Sequence, residues 1–334
     1  MKKYLLYLAL PALIYGCGEA KSNENKREVS EVETTETVNE SKEITEASIK
    51  ESIDYLASDE LKGRKFGTPG IEKAADYIQQ KFKEANLKPY FTTFQDSFSH
   101  KGKDGYNMVG FKEGSDPKLK NEIIVLGAHY DHIGVLKGEQ VVNGDSIANG
   151  ANDNAAGTAS ILELAKYFSA EETKRSLLFV LFSAEEEGLV GSKHLAQKLA
   201  KQNAPIYLML NFEMIGVPLE NQTYSAYVTG FEESNLAEKF NQYAEKEVFG
   251  FFEKAKEFQL FKRSDNYAFY QEMNIPAQTL CTFDFSNYPY YHHVDDEAEL
   301  MNVSHMKTLL EDIIPGIEGM ANSAEKEIQL NNKQ

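Results

Sequence analysis

Two rhythms of apolar residues run along the chain. Ile49, Ile53, Leu56 and Leu61 recur at helical spacing, and Ala74, Ile78 and Phe82 mark a second amphipathic helix. Pro69-Gly70 reads as a turn between them. From Ile123 onward the pattern changes to short, unbroken apolar runs. Ile123–His129, Ser176–Phe182, Ile206–Phe212 and Ile275–Leu280 have the length and composition of strands buried on both faces. Ala155–Phe168, Gly191–Lys201 and Ser264–Met273 read as helices between or beside them. Strands alternating with helices predict an α/β fold, three-layer α/β/α, with a mainly parallel central mixed sheet.

The ends of the chain have a different character. Lys2 and Lys3 precede an apolar stretch, Tyr4 to Tyr15, which is too short to span a bilayer but matches a signal peptide. It ends in Ile14-Tyr15-Gly16-Cys17, which resembles a bacterial lipobox, with Tyr15 bulky for its position. On that reading residues 1–17 are a lipoprotein signal peptide. Acylated Cys17 is then the anchor to a lipid membrane of the cell envelope, on the periplasmic side or at the outer-membrane surface. Residues 18–45 are rich in Glu, Thr, Ser, Asn and Lys and lack aromatics, which predicts a disordered acidic tether. Residues 46–321 form one expected domain, with no room for an inserted domain between Phe91 and Asn121. Residues 322–334 are a polar tail expected to fray.

Composition narrows the function. At 334 residues the chain is long enough for a large core without covalent staples. Lys+Arg 35 against Asp+Glu 52 gives a net charge of −17, the wrong sign for a nucleic-acid binder. The two cysteines, Cys17 and Cys281, exclude a disulfide framework and a cysteine zinc cluster. Cys281 ends an apolar run and reads as a buried small hydrophobe.

Sheets of this type bind ligands outside the carboxyl ends of their strands. There the sequence places His129-Tyr-Asp131-His132, Gly150-Ala-Asn-Asp153-Asn, Glu185-Glu186-Glu187, Glu213 and Tyr291-His292-His293. Each has a plain structural explanation when taken alone: an N-cap for Asp153, a solvated acidic turn for Glu185–Glu187, surface histidines for the last pair. Together they are the imidazole and carboxylate donors of a zinc-type site. So many carboxylates in one crevice repel unless cations hold them. His132 and His194 read as structural histidines. Phe283–Tyr291 is either a pocket lining or a packed loop. The sequence contains no His-Glu-x-x-His, Gly-x-Ser-x-Gly or Gly-Lys-Ser/Thr motif.

These clusters resemble the motifs of the M28 family of di-zinc peptidases, over about residues 46–320. Leu56-Ala-Ser-Asp-Glu-Leu-Lys-Gly-Arg64, Gly67-Thr-Pro-Gly70 and Arg263-Ser-Asp265 add to the likeness, with Asn266 where the family has histidine. The resemblance implies two Zn2+ per chain and peptide substrates. It implies Asp153 bridging both ions, Glu186 and His292 completing one position, and His129 and Glu213 the other. Glu213 departs from the more usual aspartate. Glu185 matches the general base, Asp131 the carboxylate that orients His129, and Tyr291 an oxyanion donor. The peptide after Asp153 is cis in the family. His292 is preferred to His293 because Asp296 follows it by four residues. The activity implied is that of an aminopeptidase. The alternatives are a carboxypeptidase or dipeptidase, a glutaminyl cyclase with one zinc, and a non-catalytic binding ectodomain. Only Arg64, Arg175 and Arg263 lie beyond the tether, so clamps for a substrate carboxylate are few.

Overall fold

A computed structural model describes residues 43–331. The expected signal peptide, lipobox and almost all of the expected tether lie outside the described residues. The last two tether residues belong to the fold: Ile44 is buried, and Thr45 caps α1 (Glu46–Leu56), its hydroxyl accepting the Ser48 N–H.

The elements follow in order. After α1 come α2 (Pro69–Glu84), β1 (Lys88–Pro89), β2 (Gln95–His100), β3 (Lys103–Lys112), β4 (Ile123–His129), β5 (Gly134–Val135) and β6 (Ile147–Ala148). Then follow α3 (Ala156–Ala170), β7 (Ser176–Phe182), α4 (Val190–Lys201), β8 (Ile206–Phe212), β9 (Ala226–Val228), α5 (Leu236–Ala244) and β10 (Phe249–Gly250). The last are α6 (Glu253–Glu257), α7 (Asn266–Met273), β11 (Ala277–Cys281) and α8 (Val303–Asn322).

A nine-stranded mixed sheet has the order β1-β3-β7-β4-β8-β11-β9-β10, with β2 also paired to β3. β7, β4, β8 and β11 are parallel neighbours; β3 and β9 run antiparallel to them. Alternation within the strands sorts the two cores. Ile124, Leu126, Leu177, Phe179, Leu181, Leu208 and Leu210 pack with α1, α2, α3 and α8. Val125, Leu178, Val180, Phe182 and Met209 pack with α4 and α7 on the other face. The result is the three-layer arrangement. Among the described residues no helix is long and apolar enough to cross a membrane.

Three local readings need correction. Pro69-Gly70 does not form a turn but opens α2, where the missing proline N–H costs nothing. A Cβ at position 70 would lie 1.8 Å from the Leu61 carbonyl oxygen, so only glycine admits this close approach. Residues 95–112 form a hairpin that the apolar pattern did not reveal. Its two-residue turn is Lys101-Gly102, with φ 49° and 75°, as twisted hairpins require. The polar tail is not frayed over the described part. Ile328 is buried, its N–H donates 2.8 Å to the Tyr207 hydroxyl, and Leu330 bridges to Ser234.

Candidate metal centre

The carboxyl ends of β4, β7 and β8 lie side by side, because His129 is in register with Phe182 and β4 pairs β8. Glu213 directly follows β8, and its N–H donates 3.2 Å to the Leu280 carbonyl of β11. Backbone of unusual conformation aims the side chains. Ala184, Met214 and His292 have φ of 58°, 55° and 56°, a region that costs such residues energy and that clusters at functional sites.

Asp153 lies on a tight turn before α3, and the Asp153–Asn154 peptide is cis. Two asparagines tie this turn to the exit of β8. Asn154 Nδ2 donates 2.8 Å to the Phe212 carbonyl, and Asn152 Oδ1 accepts the Gly216 N–H at 2.9 Å. Gly150 has φ +65°, and a Cβ there would strike the His132 ring at 2.5 Å. Thr158 hydroxyl holds the His129 carbonyl at 2.8 Å.

Donor atoms converge around Asp153. Its Oδ1 lies 3.2 Å from His129 Nε2, which is 4.0 Å from Glu213 Oε1. Its Oδ2 lies 3.2 Å from His292 Nε2, which is 3.1 Å from Glu186 Oε2. The five residues that the family resemblance implies as ligands are thus brought together, in two sets sharing one carboxylate. Several of these atoms face one another without hydrogen-bond geometry. Among the described residues, His129 Nε2, Asp153 Oδ2 and Glu213 Oε2 are buried and lack a hydrogen-bond partner. Buried polar atoms left in that state are costly unless an ion satisfies them. Nitrogen and oxygen donors in this arrangement fit zinc.

Electrostatics agree. Burial pushes Glu213 up to about 7, Asp265 up to about 6 and Asp131 up to about 7. Burial likewise raises Glu185 well above the usual carboxylate range, reinforced by Glu213 and Asp265. Asp153 goes the other way: burial opposes its charge, but His129 and His292 outweigh it. His292 rises to about 10 for the reciprocal reason, its contacts with Asp153 and Glu186 overcoming burial. A cation held there would answer the surplus negative charge.

Two expectations change. Asp131 does not orient His129 through its carboxylate, whose Oδ1 is 3.8 Å from Nδ1; the Asp131 backbone carbonyl is closer, at 3.2 Å. The buried carboxylate instead accepts the N–H groups of Glu185 at 3.0 Å and Glu186 at 3.3 Å, and so shapes the turn carrying both glutamates. His132, read as structural, lies inside the cluster, with Nδ1 3.0 Å from Glu186 Oε1. Its position three residues after His129, past a strand end, was the available signal. His194 stays away from the centre, 3.4 Å from Asp96 and packed on Phe98. His293 faces Asp295 at 3.4 Å.

The aromatic run splits into both readings. Tyr288 is buried and donates 2.6 Å to Asp296. Phe283, Phe285 and Tyr291, with Met214 and Tyr227, line a cleft that reaches Glu213. Tyr291 stacks on His292 with ring centroids 4.0 Å apart. Cys281 lines the cleft wall and is itself buried. Arg263 lines the cleft and is exposed, whereas Arg64 and Arg175 are buried in the fold.

A shared-carboxylate donor set at the strand ends of such a sheet defines a metal-dependent hydrolase class, and comparison gives it a family. The family model described as Peptidase family M28 matches residues 107–314, more than half of the chain, and the chain belongs to that family. It is 32% identical over 178 residues to leupeptin-inactivating enzyme 1 of Streptomyces exfoliatus, covering 52% of this chain and 36% of that protein. It is 31% identical over 163 residues to aminopeptidase YwaD of Bacillus subtilis, covering 48% and 31%. The chain thus spans about a third of the length of these relatives. Among solved structures, the LapA aminopeptidase of Legionella pneumophila is similar with TM-score 0.64 and 24% identity, covering 84% of this chain and 73% of that one. The glutaminyl cyclase of Porphyromonas gingivalis is similar with TM-score 0.64 and 15% identity, covering 83% and 98%. Both likenesses are of fold.

Proposed function

We propose that this protein is a zinc-dependent aminopeptidase that holds two Zn2+ and hydrolyses the first peptide bond of chains with a free amino terminus. The observation that carries the reading is Asp153, whose two oxygens each face a different imidazole within 3.2 Å. His129 and Glu213 would hold one ion, and Glu186 and His292 the other, with Asp153 between them. Bound there, the ions supply Lewis acidity to a carbonyl oxygen and acidify an attacking water.

The remaining work falls to the chain's own groups. Glu185 sits where burial raises its proton affinity, so it accepts the proton of the attacking water and passes it to the leaving amine. Asp131 keeps Glu185 and Glu186 on one turn through their N–H groups. Tyr291 presents a phenol at the cleft mouth, suited to donate to the developing oxyanion. The aromatic cleft accommodates an apolar first side chain, and the acidic surroundings of Glu213 suit a substrate ammonium group. Acylated Cys17 would hold the enzyme at the cell envelope.

The test is metal content together with turnover of the full-length chain. Two zinc ions per chain, cleavage of aminoacyl-nitroanilides, loss of cleavage with chelator and no cleavage of N-acetylated substrates are expected. Equal cleavage of acetylated substrates overturns the aminopeptidase reading. Cyclisation of glutaminyl peptides without hydrolysis replaces it with a cyclase.

A further inference from the structure

The family pattern supplies one histidine to each metal position, and this chain has a third imidazole in the cluster. We propose that His132 is a metal ligand, so that the two positions are chemically unequal: a closed one built from four protein donors, and an open one built from three. The inference rests on the proposed metal-binding role.

The argument is geometric. Donors about 2.1 Å from a tetrahedral ion lie about 3.4 Å from one another. His132 Nδ1 is 3.0 Å from Glu186 Oε1 and 3.8 Å from Asp153 Oδ2. His292 Nε2 is 3.1 Å from the same Glu186 Oε1 and 3.2 Å from Asp153 Oδ2. These four edges bracket the tetrahedral value. His132, Asp153 and Glu186 together have donor atoms all within 4.8 Å of one another. The two imidazoles meet edge-on, centroids 5.6 Å apart and planes at 71°, and so do not stack on one another.

The surroundings hold His132 there. The ring is fully buried, the His132 backbone N–H donates 3.3 Å to the Arg64 carbonyl, and the absence of a side chain at Gly150 makes room for the imidazole. The other position has His129, Asp153 and Glu213 as donors, and Glu213 borders the cleft. Closed protein sets characterise ions held for structure, and three-donor sets those that keep a place for water or substrate. The ion beside His132 and His292 is therefore the tightly held one. The ion beside His129 and Glu213, at the cleft, is the exchangeable one.

The test uses cobalt(II) as the probe and the metal-free full-length chain. X-ray absorption counts imidazole nitrogens per cobalt after one equivalent and again after two. Two imidazoles at the first equivalent, falling toward a lower mean at the second, are expected. His132→Ala reduces the first-equivalent count to one. A wild-type count nearer one than two overturns the inference, and this reading stands even if the variant does not fold. A chain that binds no cobalt fails the proposed function itself. One that binds two cobalt ions with a single imidazole each leaves that function standing and removes only the role of His132.

Discussion

Asp296 holds Asp153 by the backbone: its Oδ1 accepts the Asn152 N–H at 2.7 Å and its Oδ2 the Asp153 N–H at 3.1 Å. Tyr288 donates to the same carboxylate, which is buried. The segment after His292 therefore fixes the carboxylate that is proposed to be shared between two metal positions. Asp296→Asn puts an amide N–H against a backbone N–H. We expect metal affinity to fall about 10–100-fold, the usual effect of losing a partner behind a ligand. Competition with a chromophoric chelator measures it; unchanged affinity would remove Asp296 from the site's support.

Glu185→Gln keeps the shape of the turn and removes the proton acceptor. Turnover should drop by about 10²–10⁴, with metal content unchanged. Single-turnover kinetics and metal analysis on the same sample decide it, and near-normal turnover would move the base elsewhere.

Much of this was legible in the sequence because parallel strands announce themselves. Ile123–His129, Ser176–Phe182 and Ile206–Phe212 are apolar at all but one position each, and the structure makes each a strand with those bounds. Residues that follow a strand end inherit its address, which is why His129, Glu185 and Glu213 could be placed. What the pattern concealed is set by long-range contact. The hairpin of β2 and β3 is half-exposed and mixed in composition, so its strands carried little periodic signal. Ile328 is held in the core by partners far away in the chain, Tyr207 among them. His132 looked structural because nothing local reveals that Glu186 comes to meet it.

Arg64 shows the same lesson and allows a stability prediction. The guanidinium is buried and donates to the carbonyls of Leu56, Tyr130, Asn149 and Gly150. It thereby joins the end of α1 to the segment that follows His129 and the segment that leads to Asp153. Burial lowers its pKa to about 10, still charged at neutral pH. Arg64→Met strands those carbonyls, and we expect a loss of about 3 kcal/mol or more of stability. Denaturant unfolding checks it; a loss below about 1 kcal/mol would contradict the assigned role.

Glu297 gives a pH signature. Desolvation raises its carboxyl to about 7, although Asn149 Nδ2 donates to it at 3.0 Å. A folded-state pKa above the unfolded value means the folded protein binds more protons between about pH 4.3 and 7. The stability this lends is complete below the unfolded pKa and is lost as pH rises through 7. Glu297→Gln should therefore match the wild type near pH 4 and melt higher at pH 8. Scanning calorimetry at the two pH values tests it, and equal shifts at both would refute it.

The sheet order sets a timetable for assembly. β11 lies between β8 and β9, although β9 and β10 precede it in the chain. Until β11 emerges, β8 presents an open edge and the β9–β10 pair has nothing to join. At about 5–20 residues per second the ribosome leaves that edge bare for several seconds. His292 and Asp296 emerge later still. A nascent chain that has not reached them lacks part of the candidate metal centre, and one that has not reached β11 is exposed to edge-to-edge association.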